Sequence, residues 1–238
     1  MVAFVEQDEY CQKVLKKHWA DVPIINDIKE FRYDKAETID LLTGGFPCPA
    51  FSRSGKQGGF EQDDLFYELI RVVRESRPTF IIIENVEGVT KWAEEIRYQV
   101  KASGYIHEDI ILDARDFGIP QARRRYFGLG IQRGKLPSPQ YIRRVQGVKS
   151  EDIPRIQPNT KNTKRRWTST IGTKEEWRTI FSNCRRSGTI NGIPNRMDRL
   201  KALGNAIVPQ CVMPIMRVIR EIDDYEENRR GNKRRKID

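Results

Sequence analysis

The chain has 238 residues, 43 Lys and Arg against 33 Asp and Glu (a formal net charge of +10), and 38% hydrophobic residues. That suits one good-sized domain, or one domain carrying a small insertion. No apolar run approaches a membrane span, no basic-then-apolar leader opens the sequence, and four scattered cysteines (11, 48, 184, 211) with two histidines argue against structural zinc and for a reducing, cytoplasmic setting.

The first half alternates short apolar runs with helical patterns, which predicts an α/β sheet with crossover helices on both faces and a parallel strand order. "VAFVE" reads as a strand, followed by a helix over residues 9–17. "IDLLTGG" is the next clear strand, and it runs into "GGFPCPAFSRSG" at 44–55. There Cys48 sits between two prolines, which hold φ near −65° and bias the preceding residue towards extended backbone. The neighbouring glycines admit close approach of another molecule. Alone, this loop reads more readily as a turn with a small buried apolar thiol. "DDLFYELIRVVRES" has helical spacing and an acidic start. The strand "TFIIIENV", a helix near 89–102, and the strands "IHEDIILDA" and "RYFGLGI" complete a domain over 1–134.

Periodicity then fades. Residues 135–190 are rich in Pro, Asn, Thr, Arg and Lys and read as a loop-rich insert. From 133 to 190 there are 14 Lys and Arg against 4 Asp and Glu, so this stretch carries the whole net charge, with Trp167 and Trp177 interleaved. Such a segment suits a polyanion. Order returns over 191–225, where "RLKALGNAIVPQCVMPIMRVIREI" reads as a helix packing back on the sheet. The charged tail at 226–238 is expected to be disordered.

Four segments stand together: "GGFPCPAFS", "IIIENVEGV", "DFGIPQARRRYF" and "LKALGNAIVPQ". Three lie where strands give way to loops, the edge at which open α/β sheets place ligands. In this order and spacing they resemble the C5-cytosine DNA methyltransferase family, from residue 1 to about residue 222. The resemblance implies a Rossmann-like sheet that uses S-adenosylmethionine, with 135–190 as a DNA-recognition insert. It implies duplex DNA as partner, no membrane and no metal, and methylation at C5 of a flipped-out cytosine.

The chemistry explains the residue types. C5 is a poor nucleophile until a thiolate adds at C6 and makes it enamine-like; Cys48 resembles that nucleophile. Glu84 matches the carboxyl group at the N3/N4 edge, a role that needs protonation near neutral pH. Arg125 resembles the residue at cytosine O2, with Arg123 helping, and their charge would steady both oxyanion and thiolate. By the same resemblance Asn85, Val86 and Gln121 support the site, Pro47 and Ser52 flank the nucleophile, and Arg165 and Arg166 face DNA. On the cofactor side Glu6 would take the ribose hydroxyls and Asp27 the adenine amino group. Pro47, Leu65, Asn205 and Ala206 would complete the pocket. Glu6 is otherwise a solvent-facing acid and Asp27 a capping aspartate.

One departure stands out. The family's opening strand and FxGxGG loop, which precede the equivalent of Glu6 and fill the middle of the sheet, do not occur in this sequence. A fragment or mis-started reading frame, one part of a split enzyme with a complementing N-terminal chain, and a decayed copy each account for this; the first is favoured, because the sheet is cut in mid-strand. A catalytically incomplete DNA-binding protein and an RNA cytosine methyltransferase are the alternative functions.

Overall fold

The computed structural model describes residues 1–34, 37–47, 65–117, 119, 122–134 and 196–234. In chain order the elements are β1 (Phe4–Val5), α1 (Glu9–His18), β2 (Ile24–Ile25), β3 (Leu41–Gly45), α2 (Leu65–Ser76) and β4 (Phe80–Val86). A 3₁₀ turn (Glu87–Trp92), α3 (Ala93–Ala102), β5 (Tyr105–Asp113), a second 3₁₀ turn (Ala114–Phe117) and β6 (Arg124–Gln132) follow. The last two helices are α4 (Arg196–Asn205) and α5 (Pro209–Arg234).

The core is built around β4. Phe80, Ile81, Ile82 and Ile83 are each at most 2% exposed, and because strand side chains alternate, both faces of the strand need cover. Ile81 and Ile83 pack with Phe66, Leu69, Ile70 and Val73 of α2 and Ile96 and Val100 of α3. Phe80 and Ile82 meet Ile215, Val218, Ile219 and Ile222 of α5. Helices therefore lie on both faces of a mixed α/β sheet.

The strands form a four-stranded ladder in the order β3–β4–β6–β5 and a separate β1–β2 pair. β1–β2 and β3–β4 are parallel, but β6 runs antiparallel to both of its neighbours, which corrects the expected parallel order. The reason is length. β5 reaches β6 through residues 114–123, and a parallel crossover takes about a dozen residues or more. Among the described residues no ladder joins β1 to β3.

None of residues 1–34 is buried; Ile28 packs against the core, and polar contacts help to fasten the β1–α1–β2 unit. Arg71 of α2 donates to the carbonyls of Ile28 (2.7 Å) and Phe31 (3.0 Å) while paired with Glu68 and Glu75. Lys201 of α4 meets Asp8, which caps α1, at 2.6 Å.

Two expectations at the C-terminal end are corrected. The single returning helix is two, interrupted at 206–208, because the residue before Pro209 is disfavoured in helical backbone. The tail is not disordered over 226–234, where α5 continues to Arg234. A helix already anchored by Ile215, Ile219 and Ile222 propagates cheaply into Glu, Arg and Lys, and the sequence there runs from acidic to basic, as the helix dipole favours. Among the described residues no helix is long and apolar enough to cross a membrane, and no group of side chains could hold a metal ion.

On the α3 side of β5 and β6, Tyr126 donates to Asp109, which also pairs with His107 and, at 2.6 Å, with Arg97. Gly128 faces this network: a Cβ there would stand 2.8 Å from His107 Cε1 and 3.0 Å from the Tyr126 hydroxyl. Gly128→Ala should therefore cost about 1–3 kcal/mol by overpacking. Urea unfolding checks this: the midpoint should fall while the m-value is unchanged.

Candidate active site

The exits of β3 and β4 and the start of β6 meet at one edge of the sheet. Glu84, near the end of β4, is paired in register with Gly45 of β3, and a Cβ on Gly45 would stand 3.3 Å from Glu84 Oε2. The absent side chain leaves the flank of the carboxyl group open. Arg125, opposite Val86 on β6, brings Nε to 3.1 Å from Glu84 Oε1, both side chains being mostly buried. Burial pushes the Glu84 carboxyl above its ordinary pKa, and the charges of Arg125 and Arg123 pull it partly back. Burial wins because the two cations do not restore the solvation lost inside.

Asn85 points to the other face and is fully buried. Its Nδ2 donates to the Phe46 carbonyl at 3.2 Å and its Oδ1 accepts from the Val86 amide at 2.8 Å. The end of β4 thus holds the chain two residues before Cys48. Val86 packs against the α2–α3 core, and Pro47 is exposed. Cys48, Ser52, Gln121, Arg165, Arg166, Trp167 and Trp177 lie outside the described residues.

Arg123 is buried, and its charge reaches Glu84, but its Nη2 donates to the carbonyls of Gly204 (2.8 Å) and Ala206 (2.5 Å). Its backbone N–H donates to Asp113 Oδ1 at 3.3 Å. Asp113 also accepts from the Arg115 guanidinium, which holds its carboxyl low, at about 2. Sequence reading passes over Asp113, although an acid at the last position of β5, beside the arginine-rich turn, is a signal of the kind that marks Glu84.

The cofactor-side residues gather at the exits of β1 and β2. Glu6 Oε1 accepts from the Asp8 amide (2.8 Å), and Gln12 Nε2 bridges the Glu6 carbonyl (2.5 Å) and Asn26 Oδ1 (3.1 Å). Asp27 Oδ1 accepts from the Lys29 amide at 2.9 Å and so caps its own turn. Leu65 opens α2, Asn205 ends α4, and Ala206 follows it, the last two exposed. Two carboxyl groups at the exits of adjacent parallel strands accept hydroxyl and amine hydrogens, the donors an adenosyl group presents, so this set fits S-adenosylmethionine.

Comparison with known proteins joins these observations. Residues 1–193 match the family model for C-5 cytosine-specific DNA methylases. The Type II methyltransferase M.HhaI of Haemophilus parahaemolyticus is 34% identical over 147 residues, 56% of this chain and 45% of that protein. M.DsaV of Dactylococcopsis salina is 34% identical over 134 residues, 53% of this chain and 38% of its own. M.AquIA of a Picosynechococcus strain is 34% identical over 155 residues, 55% of this chain and 62% of its own. The chain spans less than two thirds of the length of each of these relatives. The match covers every strand of the sheet and the whole edge where Glu84, Asn85 and Arg125 meet, and on that ground the chain belongs to the C-5 cytosine-specific DNA methylase family.

Proposed function

We propose that the chain carries the catalytic centre of a DNA (cytosine-5) methyltransferase acting on a flipped-out cytosine in duplex DNA. The observation that carries this reading is the buried Glu84–Arg125 pair, set beside the strand exit that leads to Cys48. Bound at the exits of β1 and β2, S-adenosylmethionine supplies an electrophilic methyl carbon on a sulfonium. Glu6 and Asp27 hold its adenosyl part, with Pro47, Leu65, Asn205 and Ala206 around the rest.

The Cys48 thiolate forms a bond to cytosine C6, which moves an electron pair into the ring. Glu84, protonated, donates at N3 and takes up that charge, and Arg125 neutralises what develops on O2. Once C5 carries the methyl group, its proton leaves to water, the Cys48–C6 bond breaks and N3 returns its proton to Glu84, restoring the aromatic ring, the thiolate and the acid. The Asn85 bond to Phe46 holds the end of β3 two residues before Cys48, and close alignment of a nucleophile can lower a barrier by several kcal/mol. Val86 and Gln121 support the same edge. Ser52, Arg165 and Arg166 contact DNA, the two arginines within the basic insert.

Cys48→Ala should abolish transfer of labelled methyl to cytosine C5 in mixed-sequence duplex DNA. It should also abolish a denaturant-stable adduct with 5-fluorocytosine DNA, in which fluorine blocks the final elimination. Label on tRNA in preference to DNA would overturn the choice of substrate.

Glu84→Gln keeps a hydrogen-bond donor at N3 but cannot pass a proton, so kcat should fall by about 10²–10⁴-fold with a smaller change in KM for DNA. Because the folded pKa of Glu84 is raised, the neutral acid persists above the usual carboxylate range and is lost as pH rises further. The wild-type pH–rate profile should show that alkaline fall, and the Glu84→Gln enzyme should lack it.

A further inference from the structure

Helix α4 turns two of its large apolar side chains outward. Met197 and Leu203 stand 69% and 58% exposed, and the described residues from 201 to 207 are exposed or half-buried. Two polar contacts reach it from elsewhere in the fold. One is the Lys201–Asp8 pair, a surface ion pair of the kind that contributes little.

The other lies at the C-terminal end. The last carbonyls of a helix have no partner within it and form the negative end of its dipole. Helices commonly place their own Lys or Arg there, but the last turn of α4 carries none. The positive charge comes instead from Arg123, whose Nη2 reaches the Gly204 and Ala206 carbonyls from 81 and 83 residues away in sequence. That side chain is set before it arrives: it is buried, and its backbone is tied to Asp113 and, through its carbonyl, to the Ala114 amide at 3.1 Å.

We infer that Arg123 is a positioning residue that caps α4 from across the fold, locking the cofactor-side turn at 204–206 to the strand that carries Arg125. What the turn does rests on the methyltransferase reading; the clasp itself does not. Arg123 and Arg125, two residues apart, thus divide the work. One faces the base through Glu84, and the other holds the far wall of the cofactor cleft. Loosening the clasp should weaken cofactor binding before any DNA is present, which loss of a base contact would not do.

The test compares Arg123→Met, Arg123→Lys and Arg125→Met in the full chain. The readouts are amide hydrogen exchange and calorimetric binding of S-adenosylhomocysteine without DNA. For Arg123→Met we expect faster exchange at 202–208, unchanged exchange in β4 and β6, and roughly 10-fold weaker binding. Arg123→Lys, which keeps a charged donor, should fall between. Arg125→Met should match the wild type in both readouts while losing methyl transfer. Wild-type exchange and binding in Arg123→Met, with transfer lost, would overturn the clasp in favour of direct contact with the base. If the wild-type chain binds no S-adenosylhomocysteine, the methyltransferase reading fails. The clasp then stands or falls on exchange at 202–208 alone.

Discussion

Four apolar side chains in succession on β4 have to be kept dry on two opposite faces at once. Each is worth about 1.5–3 kcal/mol when fully buried, so the demand outweighs most local preferences in the chain. It brings α2 and α3 to one side and α5 to the other. With both faces covered, the strand has a single register against β3 and β6. Its last residues are then delivered to fixed places. Glu84 and Asn85 are neighbours in sequence and point opposite ways, so one meets Arg125 and the other takes hold of Phe46. The spacing of the site is a by-product of the strand's alternation.

The electrostatics follow from the same burial. A carboxyl group placed among packed side chains loses water, and only partial compensation comes from two arginines. A single well-placed guanidinium with full hydrogen bonding would drive the pKa down, as Arg115 does for Asp113, whose partner is on the surface. The contrast between these two acids, each at the end of a strand, lies in their hydrogen bonds: Asp113 is no more exposed than Glu84, but it accepts from the Arg115 guanidinium and from the Arg115 and Arg123 backbone amides.

Much of this was legible in the sequence, because it depends on local pattern. The apolar run of β4, the helical spacing of α2, and the acid and arginines at strand ends all sit within short windows. The break between α4 and α5, which the expected single helix missed, could have been read from Pro209, and the antiparallel β6 from the short link at 114–123. β2 could not, as Ile24 and Ile25 are too few to show a period. Nor could the partners of Arg123 and Arg71. Both side chains bond to backbone carbonyls, Arg123 to ones more than eighty residues off, and every residue has a carbonyl, so sequence carries no mark of which is used.

The first 34 residues contain no buried side chain, yet they bear Glu6 and Asp27. A unit with no buried side chain is competent to bind only for the fraction of time it is in place, and apparent affinity scales with that fraction. Any ligand gripped there therefore acts partly as a brace, completing the docking of β1, α1 and β2 as well as filling a pocket. Its measured dissociation constant would report the looseness of this unit together with the quality of the contacts. A substitution at Arg71, which touches no ligand, would change that constant without altering the binding surface.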